Sequence, residues 1–198
     1  MDKDTLQLKP FTLADIEEAA QLTYATWGDE LQADEQVKQV LYEAMVRYYY
    51  RNGDYSYKVV DAQGMQGFLL AGLPENGPYK GAWLQEAGRC LACSEQRLLD
   101  GYHDYLAYNA LQLEKYVEQD ALLLHLFLSR RPGCGQKLLQ QLVELAAAAQ
   151  RGSMLLWSDE TCDYAYYRKN GFQQLAKFSN SKSAELGKLQ TLIYKKII

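Results

Sequence analysis

The sequence predicts an α/β (α+β) fold in a single domain of 198 residues. An apolar strand from Ala121 to Leu128 runs through a glycine-containing loop into an amphipathic helix from Gln136 to Gln150. Two more strand patterns flank Asp61-Ala62-Gln63-Gly64, whose composition is typical of a hairpin turn. Helical spacing of apolar residues marks other long segments, so strands and helices alternate along the chain. With 48% hydrophobic residues, a chain of this length can bury a core of its own.

The first part of the chain is predicted to form a strand, two helices and a strand hairpin. Thr12, with Asp15 three residues later, resembles a capping box and therefore predicts a helix start. Asn52-Gly53 provides a stop for the second helix. The predicted elements are a strand at Leu6 to Leu8, helices from Thr12 to about Trp27 and from Val37 to Tyr48, and strands at Tyr55 to Val60 and Met65 to Ala71.

A helical pattern then covers about residues 82–119, and we interpret it as an insertion before the central strand. After the central strand and its helix, the pattern predicts a strand, a short helix that Gly171 caps, and two closing strands. These elements are a strand at Met154 to Trp157, a helix from about Thr161 to Asn170, and strands at Phe172 to Phe178 and Leu189 to Ile198.

Charge and hydropathy narrow the class of partner. A net charge of −4 and a pI near 5.3 argue against nucleic-acid or acidic-lipid binding, which needs a basic face. No apolar segment follows the first four residues as a secretory leader would, and the longest apolar stretch is too short to span a bilayer. We therefore expect a cytoplasmic protein with no nucleic-acid or membrane partner.

The cysteines predict no metal site. Cys90-x-x-Cys93 has the spacing of half a zinc site, but no second Cys-x-x-Cys or paired histidine set supplies the other ligands. The pair also lies in a helical pattern rather than after a strand. We interpret Cys90 and Cys93 as small packed side chains.

The loop after the central strand has the build of an anion site. Glycines at 133 and 135 allow a sharp turn that points backbone N–H groups at one spot, and the following helix adds a positive dipole end. The same glycines could merely turn a strand into a helix. Leu138 stands where a dinucleotide-binding motif needs glycine, and Gln136-Lys137-Leu138 is not the Lys-Ser/Thr of a P-loop.

Two blocks together carry a resemblance to a known family. Arg130-x-x-Gly133-x-Gly135 resembles the Arg/Gln-x-x-Gly-x-Gly/Ala signature of the GCN5-related N-acetyltransferases, the GNAT family. Residues 158–172 are similar to the second block of that family, which ends aromatic-Tyr-x-x-x-Gly-Phe. The resemblance implies a central mixed, mostly antiparallel twisted sheet, splayed at the central strand, with helices on both faces. It also implies a GNAT-type N-acetyltransferase that moves an acetyl group from acetyl-CoA to a primary amine.

The resemblance assigns positions along the coenzyme. Arg130 and Arg131 could be ordinary solvated charges. We favour the alternative, in which one of them forms a charge-assisted bond to the diphosphate. Tyr167 matches the tyrosine that lies near the coenzyme sulfur in the family, whereas Tyr164 and Tyr166 are expected to pack in the core or on the helix face. The implied coenzyme-binding set is Phe127, Leu128, Arg130, Arg131, Gly133, Cys134, Gly135, Gln136, Lys137, Asp163 and Tyr167.

The chemistry requires a donor for the oxyanion, an acid and a base. Family resemblance places the oxyanion donor at a backbone N–H near Phe127 or Leu128. Tyr167 is the candidate acid for the departing thiolate. Relatives often carry a glutamate where Leu123 stands here, so His125 on the same face of the strand is the candidate base. Rival bases are His103, Asp100, Asp104 and a water chain, and proximity alone can also carry acyl transfer.

Departures from the family pattern leave an alternative open. Pro132 lacks an N–H that could reach a phosphate, and Asp163 replaces a common asparagine. With the missing strand glutamate, these departures allow a catalytically silent acyl-CoA-binding module of the same fold.

The acceptor is a small-molecule or protein amine on this interpretation. The helical segment brings tyrosines and acidic residues that suit a cationic amine, although plain helix packing would explain them equally well. Those residues are Tyr102, Tyr105, Tyr108, Tyr116, Asp100, Asp104 and Glu114. A monomer and a homodimer are both compatible with the sequence.

Overall fold

A computed structural model describes residues 5–28, 33–51, 53, 55–75, 92–180 and 189–198. The strands are β1 (Gln7–Pro10), β2 (Tyr57–Asp61), β3 (Gly64–Gly72), β4 (Ala121–Ser129), β5 (Ser153–Asp159), β6 (Gln173–Asn180) and β7 (Leu189–Ile197). The helices are α1 (Ile16–Trp27), α2 (Glu35–Tyr49), α3 (Cys93–Glu114), α4 (Cys134–Ala148) and α5 (Tyr164–Lys169), with a 3-10 turn at Leu13–Asp15 before α1. The seven strands form one sheet in the order β1-β2-β3-β4-β5-β7-β6.

The sheet is mixed and mostly antiparallel. Among the strand pairs that the structure describes, only β4 and β5 run parallel. They pair over just three residues each, from Ala121 with Ser153 to Leu123 with Leu155, although β4 continues to Ser129 and β5 to Asp159. Beyond that short ladder the two strands part, and the sheet opens. The predicted splay at the central strand is confirmed.

Helices cover both faces, as predicted. On one face α1, α2 and α3 pack over a core that includes Phe68, Leu126 and Leu128. On the other face α4 packs through Leu138 and Leu142 onto inward residues of β3, β4 and β5. The alternation of β4 between these two cores fixes which of its side chains face each layer.

The alternation of β4 is interrupted by a bulge. The register to β3 pairs Leu70 with Leu126 and Ala71 with Leu124, so His125 has no partner residue across the ladder. An extra residue of this kind bends and twists the bulged strand locally. The bulged residue His125 lies two residues beyond Leu123, where the ladder with β5 ends and the sheet opens.

The capping box at the start of the first helix forms as predicted. The backbone N–H of Thr12 donates to Oδ2 of Asp15 at 2.8 Å, and the Thr12 hydroxyl donates to the same oxygen at 3.0 Å. Lys58 of β2 forms an ion pair with Asp15. The entry to α1 is thereby tied to the sheet.

Two element boundaries differ from prediction for local reasons. The helix after the central strand begins at Cys134 rather than at Gln136, because Gly133 adopts φ +85° and serves as its N-cap. The short helix begins at Tyr164 rather than near Thr161, because the Asp163 side chain accepts from the N–H of Tyr166 and caps it. Gly171 has φ +82° after that helix, as its predicted capping role requires.

Some predictions lie outside the described residues. These are the helical pattern before residue 92, Cys90, Asn52 in the predicted helix stop, and residues 181–188 of the loop between the closing strands. The interpretation of 82–119 as an insertion into a single domain stays a prediction.

Candidate active site

The loop between β4 and α4 combines a left-handed glycine with a helix start. Gly133 has φ +85°, a conformation that an L side chain rarely adopts, and no atom lies within 4 Å of the Cβ that another residue would add there. Gly135 serves a different purpose in the first turn of α4. A Cβ there would lie 3.0 Å from Oγ of Ser129 and 3.3 Å from the hydroxyl of Tyr166, so this glycine allows close packing of α4 on the end of β4.

Three backbone N–H groups at this helix start are open to a ligand. Among the described residues, the N–H groups of Gly133, Gly135 and Gln136 have no hydrogen-bond partner. The N–H of Cys134 donates to the Arg131 carbonyl at 3.2 Å, and that of Lys137 donates to the Gly133 carbonyl at 3.1 Å. Of the amides in the loop that is predicted to bind an anion, these three lie unbonded at the positive end of a helix.

The two arginines of the loop differ in their surroundings. Arg131 forms an ion pair with Asp61 of the β2–β3 turn, with 2.9 Å between Nη1 and Oδ2. Arg130 has an exposed side chain, and only its backbone N–H is bonded, to the Gln66 carbonyl at 2.9 Å. Lys137 donates from Nζ to the Leu6 carbonyl at 2.9 Å. Of the two arginines, Arg130 is thus the one that no described carboxylate neutralises.

A cavity of about 720 Å³ fills the opening between the parted strands. Phe127, Leu128 and Ser129 of β4 line one side, and residues 157–159 of β5 line the other. Helices α1, α2 and α3 close one end, and α5 with the turn before it closes the other. The cavity is large enough for a small ligand and extends from Ser129, the last residue before the loop, to the side chains of α2 and α3.

The ladder between β3 and β4 determines which amides of β4 point into this cavity. Arg130 N–H donates to the Gln66 carbonyl of β3, and the register pairs Ser129 with Gly67. In an antiparallel pair successive residues direct their N–H groups to opposite sides. Leu128 therefore directs its N–H at β3, whereas Phe127 and Ser129 direct theirs at the opening left by β5.

Tyr167 lies in the wall of the cavity within an aromatic cluster. Its ring centroid is 5.7 Å from that of Phe172 and 5.6 Å from that of Tyr194. Burial raises the pKa of Tyr167. The phenol keeps its proton at neutral pH, as a general acid requires, and the raised pKa also makes it a weaker proton donor.

Tyr166 was not assigned to the site from the sequence, yet it also lines the cavity. Its hydroxyl is buried with no hydrogen-bond partner among the described residues, and its ring packs edge-on against Phe127 at 5.6 Å. The hydroxyl lies beside Gly135, next to the open amides of the loop. Tyr166 is one of 16 tyrosines, and nothing in the sequence distinguishes it from the others.

His125, the predicted base, lies at the bulge of β4 and stacks on Tyr49 with 5.6 Å between ring centroids. Its Nε2 is buried and has no hydrogen-bond partner among the described residues. Burial, together with the positive charge of Arg51, lowers the pKa of His125 to about 3. The imidazole is therefore neutral at pH 7 and only a weak base.

Asp159, at the end of β5, is the buried carboxylate of the cavity. Oδ2 accepts from the Tyr105 hydroxyl at 2.5 Å, and Oδ1 accepts from the N–H and the hydroxyl of Thr161 at 3.1 and 2.6 Å. The side chain is only 8% exposed. Burial and the nearby carboxylate raise the pKa of Tyr105. A carboxylate at the predicted end of a strand was the signal in the sequence that could have found it.

Solved structures that are similar to this chain include acetyltransferases. With 98% of the chain covered, it is similar to the C-terminal condensation domain of Ebony in complex with β-alanyl-dopamine, at TM-score 0.65, 12% identity and 99% coverage of that chain. It is similar to the Drosophila melanogaster polyamine N-acetyltransferase, at TM-score 0.58, 11% identity and coverage of 98% and 100%. It is also similar to an acetyltransferase of the GNAT family from Staphylococcus aureus Mu50, at TM-score 0.55, 12% identity and coverage of 98% and 99%. The chain has the GNAT acetyltransferase fold.

At these identities the similarity shows the fold alone. No family model and no curated protein sequence matches the chain. The roles of individual residues on this GNAT fold therefore depend on the geometry of the cleft.

The remaining candidates lie outside the cleft or have other partners. Asp163 is exposed and caps α5 with its side chain, although it also borders the cavity. The rival bases Asp100 and Asp104 are exposed on α3, and His103 packs edge-on against Tyr48 at 5.5 Å. Asp100, His103 and Asp104 are absent from the described residues that line the cavity.

Within the part of the chain that the structure describes, no three side chains of the metal-binding types come together, and no helix combines the length and apolar character needed to cross a bilayer.

Proposed function

We propose that the chain is an acetyl-CoA-dependent N-acetyltransferase that acts on a primary amine. The observation that carries the proposal is the parting of β4 from β5 directly beside a helix start with three open amides. A diphosphate and an extended acyl chain need these two features side by side. The similar solved structures named above include acetyltransferases that act on amines.

The geometry supports one orientation of the coenzyme. The diphosphate binds the N–H groups of Gly133, Gly135 and Gln136, and the side chain of Arg130 adds a charge-assisted contact. The acyl arm then follows the open edge of β4, where the N–H of Ser129 is available to it. The thioester carbonyl reaches the N–H of Phe127, which directs our choice of oxyanion donor to Phe127 rather than Leu128.

Acetyl transfer then proceeds by direct attack. The free-base amine nitrogen forms a bond to the thioester carbon, and the Phe127 N–H stabilises the developing oxyanion. When the carbon–sulfur bond breaks, the Tyr167 hydroxyl gives its proton to the departing thiolate. The amine loses its own proton to water in the cavity, since His125 is a weak base at its lowered pKa, and water returns a proton to the Tyr167 phenolate.

A second candidate is a coenzyme-binding module without catalysis. The weak basicity of His125 is the observation that favours it, because the bulge places no strong base at the opening of the strands. Such a module would bind acetyl-CoA but release no thiol with any amine.

Thiol release in the presence of acetyl-CoA and a panel of amines tests the proposal. We expect turnover that falls about a hundredfold in Tyr167→Phe, which is within the usual contribution of a general acid. Tyr164→Phe is the matched control, because Tyr164 is exposed on the same short helix and should leave turnover unchanged.

Calorimetric titration with coenzyme A separates the two candidates. Binding with no thiol release across the panel would support the silent module. Absence of coenzyme binding by the folded protein would refute both.

A further inference from the structure

The part of the cavity beneath α2 and α3 has an aromatic wall. Tyr42 donates its hydroxyl to the Trp27 carbonyl at 2.7 Å, and Tyr102 donates its hydroxyl to Sδ of Met45 at 3.0 Å. Because these hydroxyls have partners in the protein, the surface left for a ligand is largely that of the rings. Trp157 of β5 completes the wall, edge-on to Tyr105 at 5.8 Å. This wall suits an apolar or aromatic group.

The charged side chains among the described residues of the cavity wall are acidic. Among the described residues that line the cavity, Asp159 and Asp163 are the acidic side chains, and none is a lysine or arginine. Asp159 has neutral donors from Tyr105 and Thr161 but no described cation within ion-pair distance. A buried carboxylate without a counter-ion is costly, and a bound ammonium group would lower that cost.

Asp159 also lies at the level of the opening where an acceptor amine must approach the thioester. It is four residues beyond Leu155, the last residue of β5 that pairs with β4. Phe127 is likewise four residues beyond Leu123, the last paired residue of β4. The carboxylate and the proposed oxyanion donor therefore stand on opposite sides of the opening at similar distances from its apex.

We propose that the acceptor is a primary amine that carries an aromatic or apolar group and no carboxylate. This inference rests on the transferase function proposed above. Asp159 binds the ammonium group, Tyr105 holds that carboxylate in place, and the aromatic wall takes the apolar group. An α-amino acid is rejected, because its carboxylate would lie near Asp159 and Asp163, and no described residue of the wall is a cation that could pair with it.

Equilibrium binding of phenethylamine and phenylalanine, which differ by one carboxylate, tests the proposal. Calorimetry on the full chain without coenzyme is expected to give saturable binding of phenethylamine and binding of phenylalanine weaker by about tenfold or more. Ethylamine lacks the ring and should also bind about tenfold less tightly. Because no turnover is measured, a silent module would still pass this test.

Asp159→Asn is expected to weaken phenethylamine binding by about tenfold or more. Glu160→Gln is the matched control, since Glu160 is the exposed neighbouring carboxylate and should leave the affinity unchanged. A separate coenzyme A titration reports on folding of each variant and on the proposed function independently. Equal affinity for phenylalanine, no binding of phenethylamine by protein that binds coenzyme A, or undiminished affinity in Asp159→Asn would each overturn the proposal.

Discussion

At the scale of the residue, His125 shows how burial sets a protonation state. The ring is stacked on Tyr49 and faces the positive charge of Arg51, so both desolvation and charge oppose its protonation. Its pKa is lowered from 6.5 to about 3. The unfolded chain therefore binds one more proton at this site than the folded chain throughout that interval.

This difference predicts how stability depends on pH. The contribution of His125 is fully present above pH 6.5 and is lost as the pH falls toward 3. Between pH 7 and pH 5 the free energy of unfolding should drop by about 2 kcal/mol through this group. Urea unfolding at a series of pH values should show the drop in the parent and in His103→Gln but not in His125→Phe. An equal drop in His125→Phe would contradict the assignment.

The sequence predicted the role of those residues whose conformation depends only on their neighbours along the chain. Gly133 was identified from its spacing, and its positive φ explains why glycine stands there. The three open amides could not be identified, because the partners of Cys134 and Lys137 depend on the turn geometry of the loop. Asp159 stands near the end of a predicted strand, but its contact with Tyr105 of α3 could not be predicted from that position, and no local pattern contains the approach of Tyr166 to α4.

At the scale of the element, a buried amide ties α3 to the closing hairpin. Oδ1 of Asn109 accepts from Asn180 of β6 at 2.9 Å and from Thr191 of β7 at 3.2 Å. All three side chains are buried. The helix that supplies Tyr105 to the cavity is therefore held in place by a polar network rather than by apolar packing alone.

Asn109→Ala should lower the free energy of unfolding by about 2 kcal/mol, because it removes the buried acceptor that Asn180 and Thr191 share. Leu111→Ala on the same helix is the control, since Leu111 is 55% exposed and its loss should change stability little. Urea unfolding of both variants checks this. Equal effects from the two substitutions would show that the network contributes nothing.

The type and order of the described elements were predicted well, whereas their ends and junctions were less predictable. Periodicity identifies the apolar strand β4 and the amphipathic helix α4, but the start of α4 depends on the φ angle of Gly133. The bulge at His125 and the three-residue ladder between β4 and β5 are set by pairing across the sheet. A strict period of two cannot reveal an extra residue within a strand.

At the scale of the whole molecule, ligand binding should be visible as stability. Coenzyme A at a hundred times its dissociation constant would stabilise the folded state by about 2.7 kcal/mol. For a chain of this size, that corresponds to a rise in Tm of about 5–10 °C.

Gly133→Ala should reduce this rise at the same coenzyme concentration. An alanine at φ +85° is strained by about 1–2 kcal/mol, and relief of that strain would turn the loop amides away from the diphosphate. Gly53→Ala is the control, because that glycine has open space around its added Cβ and no positive φ. Thermal melts of each variant with and without coenzyme A measure the rise. An undiminished rise in Gly133→Ala would place the anion elsewhere.

The short ladder between β4 and β5 divides the sheet into two antiparallel blocks, β1 to β4 and β5 to β7, joined by main-chain bonds along one brief seam. If the acyl arm of the coenzyme binds along the unpaired edge of β4 past that ladder, as proposed above, it would act as an additional extended strand of the sheet. Amide hydrogens on both sides of the short ladder should then exchange with solvent together in the free protein. Their exchange should slow together when the coenzyme is bound. Coenzyme binding would thus stabilise both blocks of the sheet at once, at positions far from the transferred acetyl group.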